Sequence, residues 1–193
     1  KHNGLLFYPS QYEGEEQSPH VVYTGATPRQ QALPAVDHLL ELGRRRFFLV
    51  GTDYVYPRTT NVIIGNYLKS RGIGSDAFDE LYTPFGEKHW TDAVHRIRKC
   101  AGRDGAIIAT LSGDANVHFF RERARQGLDA EILPVMSLSL GEAEMPALHE
   151  RNLIGHMGAW NYLQTIETPE NHAFIDEWRA FTGDANAITN DPM

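Results

Sequence analysis

The chain has 193 residues, 41% of them hydrophobic and 22% charged, which is the balance of a globular domain with a core of its own. Its net charge of −7 argues against a nucleic-acid partner, because phosphate binding needs clustered Lys and Arg. Cys100 is the single cysteine, so no intrachain disulfide forms, and no apolar run approaches the roughly 20 residues that span a bilayer.

In chain order, residues 5–9 read as a short apolar strand that begins almost at the first residue. A polar, acidic loop follows over 10–19, and Val21-Val22-Tyr23 is a second short strand. Thr24-Gly25-Ala26-Thr27-Pro28 is a crossover with a helix start. From about 28 to 42, Ala32, Ala35, Val36, Leu39 and Leu40 fall on one helix face, and Gly43 ends the helix. The basic run Arg44-Arg45-Arg46 is read as a complement to that helix C-terminus in a solvated turn.

From here strands and helices alternate. Strand 46–50 leads through the loop Gly51-Thr52-Asp53-Tyr54-Val55-Tyr56-Pro57 into a helix from about 58 to 70, closed by Gly72. Strand 79–83 precedes a helix from about 90 to 100. Strand 106–111 leads through Ser112-Gly113-Asp114 into a helix to about 126, closed by Gly127. Strand 133–138 precedes a short helix near 142–149, and a strand is expected over 153–160. Thr168-Pro169-Glu170 is a capped start for a helix from about 169 to 182, ended by Gly183. Such units, with continuous apolar strands, predict an α/β fold: a parallel sheet flanked by helices on both faces. The loops 52–58, 84–89, 112–115 and 137–142 then converge at the carboxyl edge of the sheet, where open α/β sheets bind ligands. Residues 1–26 and 161–193 flank this unit, with hinge crossings expected near 24–28 and 160–167. The ends read as cuts: Thr189-Asn190-Asp191-Pro192 announces a helix one residue before the chain stops. A piece of a larger protein is expected, and the lack of a signal-peptide pattern then says nothing about compartment.

The chemistry of the loops narrows the reading. Thr110-Leu111-Ser112-Gly113-Asp114 is not the Gly-x-Ser-x-Gly elbow of a hydrolase, and Ser112 and Asp114 read as helix-start residues. Nine histidines are scattered without an i, i+4 pair around a Glu and without a Cys partner, so no metal is expected. Gly-x-Gly-x-x-Gly and the phosphate-loop signature are both absent, which argues against a nucleotide cofactor. Small-molecule binding remains. The carboxyl-edge loops offer Tyr54, Tyr56, Ser112, Asp114, Ser137 and Ser139, and Tyr8, Ser10, Gln11 and Tyr12 lie just past the first strand. These are mostly neutral hydrogen-bonding groups on aromatic walls, suited to a small, neutral, polar ligand. The alternative is that Tyr54 and Tyr56 only pack their loop.

Several stretches carry a resemblance: Leu6-Phe7-Tyr8-Pro9-Ser10-Gln11-Tyr12-Glu13-Gly14, Tyr23-Thr24-Gly25-Ala26-Thr27-Pro28 with Gln30-Gln31, and Asp53-Tyr54-Val55-Tyr56-Pro57-Arg58. Gly113-Asp114-Ala115-Asn116-Val117, Pro134-Val135-Met136-Ser137-Leu138-Ser139, Ala159-Trp160-Asn161-Tyr162 and Thr168-Pro169-Glu170-Asn171 extend it nearly end to end. The chain resembles the urea and short-chain amide binding proteins of bacterial ABC transporters, within the type I periplasmic binding protein superfamily. The resemblance implies a two-lobed, non-enzymatic protein of the periplasm. It would close on urea, formamide or acetamide and deliver the ligand to an ABC permease in the membrane, with no cofactor. It also implies the layout: residues 1–26 end a first pass through the N-lobe, 27–160 form the C-lobe, and 161–193 begin the return. By matching position, Tyr8 and Ser10 would contact the amide from the N-lobe and Tyr54 and Tyr56 from the C-lobe. Gln11, Asp114, Ser137 and Ser139 are further candidates at the cleft edge. Cytoplasmic amide sensors that regulate amidase expression share the tyrosine motifs but match less well at 113–116 and 159–162. An amide hydrolase would need a nucleophile–base pair or metal set that the sequence lacks.

Overall fold

A computed structural model describes residues 4–12 and 17–189. Glu13 to Glu16 of the acidic loop, and the helix start expected at 190–192, lie outside the described residues.

The centre of the molecule is a five-stranded, wholly parallel sheet. Its strands are β3 (Arg46–Thr52), β4 (Phe78–Thr83), β5 (Gly105–Thr110), β6 (Val135–Ser137) and β7 (Met157–Gly158), in the spatial order β4-β3-β5-β6-β7. Before it come the short parallel pair β1 (Leu6–Tyr8) and β2 (Val21–Tyr23), a separate two-stranded sheet. The helices are α1 (Ala32–Glu41), α2 (Val55–Ser70), α3 (Thr91–Ala101), α4 (Ala115–Arg125) and α5 (Pro169–Thr182).

Strand alternation explains the layering, because successive side chains point to opposite faces. Phe47, Leu49, Ala106 and Ile108 join Val36, Leu39, Ile64 and Leu68 of α1 and α2 in one buried cluster. Phe48, Val50, Ile107 and Ala109 join Val94, Ile97, Phe119 and Phe120 of α3 and α4 in the other. β3 and β5 pair in register from Arg46↔Gly105 to Gly51↔Thr110, with both strands buried on both faces. Each large apolar side chain removed from water here contributes about 1.5–3 kcal/mol. By contrast, Leu5, Leu6, Phe7 and Val22 around β1–β2, and Phe174, Trp178 and Phe181 on α5, are exposed.

Most elements lie where the sequence places them, although α1 begins at Ala32 rather than near 28 and β6 spans Val135–Ser137 rather than 133–138. Three further differences have physical reasons. Helix α2 begins at Val55 rather than near 58, so Tyr56 and Pro57 are in its first turn. Proline is tolerated there because a first-turn N–H has no partner within the helix. The strand expected over 153–160 shrinks to Met157–Gly158. Glu150–Asn152 is instead a 3-10 turn, and Gly155 takes φ 80°, a left-handed conformation that no strand continues through. Likewise the helix near 142–149 is a 3-10 turn, Glu142–Ala147, with Pro146 inside it. At the other extreme, α5 meets its expected limits: the Thr168 side chain accepts from the Asn171 N–H, and Gly183 caps the end at φ 70°.

Gly51 marks a tight point in the sheet. A Cβ there would lie 2.6 Å from Cβ of Pro57 and 2.6 Å from Oγ1 of Thr110. The bare backbone is what lets the first turn of α2 sit directly on the end of β3. Gly51→Ala is expected to cost about 1–3 kcal/mol through overpacking, read as a lowered guanidinium midpoint. A midpoint unchanged from the parent would show that the turn shifts freely.

Candidate functional site

The sheet order reverses between β3 and β5: β4 lies to one side of β3, while β5, β6 and β7 follow on the other. At such a switch point the connections leave neighbouring strands toward opposite faces and open a crevice. Here β3 runs out to Tyr54 and α2, and β5 runs out to Ser112 and α4. The Ser112 N–H donates to Thr52 Oγ1 at 2.9 Å, tying the roots of the two loops together. Above that tie, Ser112 Oγ donates to the Tyr54 hydroxyl at 3.3 Å. The Tyr54 ring lies 5.1 Å from Phe85, in the loop after β4, and 6.3 Å from Tyr56. The crevice therefore carries two neutral hydroxyls on an aromatic wall.

The charges beside this wall are tied up in each other. Asp53 Oδ1 accepts from Arg58 Nε at 2.6 Å, one turn into α2. The Arg58 guanidinium also stacks 4.3 Å over the ring of Tyr82. Its hydrogen bond holds the Asp53 carboxyl below the usual carboxylate range. Asp53 thus braces the start of α2.

Tyr56 has a different place from Tyr54. It is buried, and its hydroxyl lies 3.2 Å from the Leu138 carbonyl and 3.4 Å from Gln31 Oε1. Gln31 is itself buried, at 6% exposure. Its Nε2 donates to the carbonyls of Leu138 at 3.0 Å and Ala159 at 2.7 Å. Its Oε1 accepts from Gln11 Nε2 at 2.7 Å. One amide therefore joins the segment after β1, the start of α1, the first turn of α2, the end of β6 and the segment after β7. Both donor hydrogens are in use and the oxygen accepts from Gln11, with the Tyr56 hydroxyl beside it, which fixes the amide's orientation. Flipping it would set oxygen against two carbonyls and nitrogen against the Gln11 amide.

The remaining candidates divide between crevice and frame. Ser139 Oγ donates to the Leu111 carbonyl at 2.6 Å, linking the loops after β5 and β6. Ser137 is buried at the end of β6, and its Oγ accepts from the Ser139 N–H at 3.4 Å. Asp114 is exposed as the N-cap residue of α4, and its side chain makes no capping hydrogen bond. Tyr8 and Ser10 are half-buried on the β1–β2 side. The Tyr8 ring meets Tyr23 edge-on at 6.1 Å. The carbonyl of Ser10 lies where a Cβ on Gly25 would come within 1.8 Å, so only glycine admits that approach. The structure thus joins Gln11 to Tyr56 through Gln31, Tyr54 to Ser112, and Ser139 to the loop after β5.

Two residues of the site were not singled out by sequence reasoning. Phe85 carries no signal beyond its place after a strand. Gln31 does carry one: with Ala35 and Leu39 it continues the buried stripe of α1 at four-residue spacing, as a polar residue where an apolar one is due.

Comparison with known proteins accounts for this architecture. The Leu/Ile/Val-binding protein homolog 6 of Brucella melitensis biotype 1 is 25% identical over 171 residues, covering 86% of this chain and 42% of the relative. The Brucella abortus (strain 2308) homologue matches with the same identity and coverage. The chain therefore spans less than half the length of these curated relatives. Among solved structures, an ABC transporter solute-binding protein from R. palustris in complex with 4-hydroxybenzoate superposes with a TM-score of 0.73 at 22% identity, covering 84% of this chain and 44% of that one. An amino acid ABC transporter substrate-binding protein from Pseudomonas fluorescens Pf-5 gives a TM-score of 0.75 at 16% identity, covering 98% and 50%. At these identities the likeness is one of fold, and the fold is the type I periplasmic binding protein fold that the resemblance implies. A family model described as "Periplasmic binding protein domain" matches residues 1–193, and the chain belongs to that family.

Proposed function

We propose that this chain is the ligand-closing part of an ABC transporter solute-binding protein of the periplasm, and that its ligand is urea or a short-chain aliphatic amide. The observation that carries the ligand class is the Tyr54–Ser112 hydroxyl pair on the Phe85 wall at the switch point. Urea is planar, with one acceptor oxygen and four N–H donors. Hydroxyls, which both donate and accept, satisfy such a molecule without an ion pair. Arg58 lies close to these tyrosines in the chain and would suit a carboxylate ligand, but Asp53 and Tyr82 already engage it. The names of the relatives supply the transporter setting, and they favour it over the cytoplasmic sensor that shares the tyrosine motifs. The Brucella proteins are named for Leu/Ile/Val binding, and the R. palustris protein holds 4-hydroxybenzoate. Those are carboxylate ligands, and the neutral wall at Tyr54 is the reason for assigning a different class here.

The reading is of binding and closure, not of turnover. Residues 1–26 and 161–193 would belong to an N-lobe, and the exposed apolar side chains of β1–β2 and α5 suit packing against the rest of its sheet. The crossings at Gln31 and Ala159 would be the hinge. A ligand that touches both lobes shifts the open–closed equilibrium by its differential affinity for the two states, and a permease would read the closed form.

Calorimetry of the full-length protein against urea, formamide, acetamide, leucine and 4-hydroxybenzoate tests the ligand class. Saturable heats from urea or an amide are expected. Tight leucine or hydroxybenzoate binding with no amide response would overturn the assignment. Tyr54→Phe should weaken amide binding about ten-fold while leaving the unfolding transition in place, since a hydrogen bond of about 1–1.5 kcal/mol is lost. Equal affinities would mean that the ring only packs the loop. For the hinge, Gln31→Leu should destabilise the fold by about 1–3 kcal/mol, the cost of leaving buried polar partners unpaired. Guanidinium is the denaturant of choice, because urea is a candidate ligand.

A further inference from the structure

The amino edge of the sheet, opposite the crevice, holds an arrangement that the transport reading does not use. Arg123 of α4 is 1% exposed. Its Nη2 donates to the Leu133 carbonyl. Its Nη1 lies 3.0 Å from Nε2 of His156, and its Nε is buried without a hydrogen-bond partner. The other ring nitrogen of His156, Nδ1, lies 3.1 Å from the backbone N–H of Val135.

These contacts conflict. A backbone N–H only donates, so Nδ1 must be the bare nitrogen and the ring proton must sit on Nε2. That Nε2–H then faces Arg123 Nη1, which also only donates. Moving the proton to Nδ1 satisfies the arginine and sets the ring N–H against Val135 instead. Neither neutral tautomer meets both neighbours. Protonating the ring adds a donor, and burial followed by the Arg123 charge pushes the His156 pKa down to about 3. Two groups rich in hydrogens thus meet with too few acceptors between them. Among the described residues no carboxylate forms an ion pair with Arg123, and Asp129 acts on it only as a longer-range charge.

Beside this pair is a pocket of about 270 Å³. Arg123, His156, Arg151 and Asn152 line it, with Phe120 and the Asp129 side of the following turn. We propose that this pocket binds a small oxyanion, a carboxylate or a phosphate, held by Arg123, Arg151 and the Nε2–H of His156. An oxyanion supplies the acceptors that the site lacks. The guanidinium fork turns to two of its oxygens, His156 settles as the Nε2–H tautomer, and its bare Nδ1 keeps the Val135 N–H. The site lies at the opposite end of β6 and β7 from Leu138 and Ala159, so it is separate from the amide crevice and independent of which ligand the crevice takes.

The test uses the uniformly 15N-labelled full-length protein, titrated with inorganic phosphate, with acetate, and with chloride at matched ionic strength. Saturable shifts of the His156 ring nitrogens toward the Nε2–H pattern are expected with phosphate or acetate, and the stronger of the two names the source. Arg151 is exposed, and Arg151→Ala should leave the unfolding transition in place while weakening the response about ten-fold. Arg123→Lys, which keeps the charge and loses the fork, should weaken it at least as much. No saturable response, equal shifts with chloride, or an Arg151→Ala variant indistinguishable from the parent would overturn the proposal.

Discussion

The buried amide of Gln31 is the constraint on which the arrangement of the site depends. A side-chain amide in a dry interior must satisfy two donors and one acceptor oxygen, and leaving any of them unmet costs about 1–3 kcal/mol. Here the partners come from Gln11, Tyr56, Leu138 and Ala159. Those four residues belong to segments that are far apart in sequence and include both crossings between the central sheet and the flanking elements. An apolar residue at position 31 would pack against α1 equally well but would recognise none of them. The polar choice therefore specifies how the pieces meet more than it stabilises any one piece.

Strand order does the corresponding work at the carboxyl edge. Tyr54 and Ser112 are 58 residues apart in the chain, and they meet because β3 and β5 are neighbours across the switch point. Gly51 lets the first turn of α2 settle onto the strand end, and Thr52 fixes the root of the loop after β5. Asp53 and Arg58 then hold the turn from outside, an exposed pair whose value is geometric rather than energetic. The Tyr54 and Ser112 hydroxyls that meet beside that pair are uncharged. The same frame is shared with proteins whose names and bound ligands point to branched-chain amino acids and aromatic acids. The frame accommodates those differences because ligand choice rests on a few side chains at loop roots, while the fold rests on the alternation of buried residues within the strands.

The two edges of the sheet carry different polar arrangements. At the carboxyl edge the Gln31 amide and the Ser112 and Ser139 hydroxyls find acceptors or donors of the right kind. At the amino edge, Arg123 and His156 meet donor to donor beside an open pocket. A mismatch of that kind is not a consequence of core packing, since an apolar residue at either position would fill the space without it.

How much of this was legible in the sequence follows from the range of each interaction. The parallel α/β fold was, because uninterrupted runs such as Phe47-Phe48-Leu49-Val50 and Ala106-Ile107-Ile108-Ala109 can be buried on both faces only under helices. The limits of α5 were, because Thr168, Pro169 and Gly183 act on their own backbone. The tyrosine loop was placed at the right edge, but the sequence did not separate its two tyrosines. Tyr54 and Tyr56 are two residues apart in one motif, and they part only when α2 begins at Val55, which turns Tyr56 inward to Gln31 and leaves Tyr54 beside Ser112. The truncation of the last strand was hidden too, because Gly155 reads as a strand residue until the ring of His156 is seen turned inward on Val135 and Arg123. Local rules and periodicity determine which segments are strands and helices. Only the tertiary structure decides which polar groups meet, because a hydrogen bond between residues 20 to 128 positions apart leaves no periodic trace in the chain.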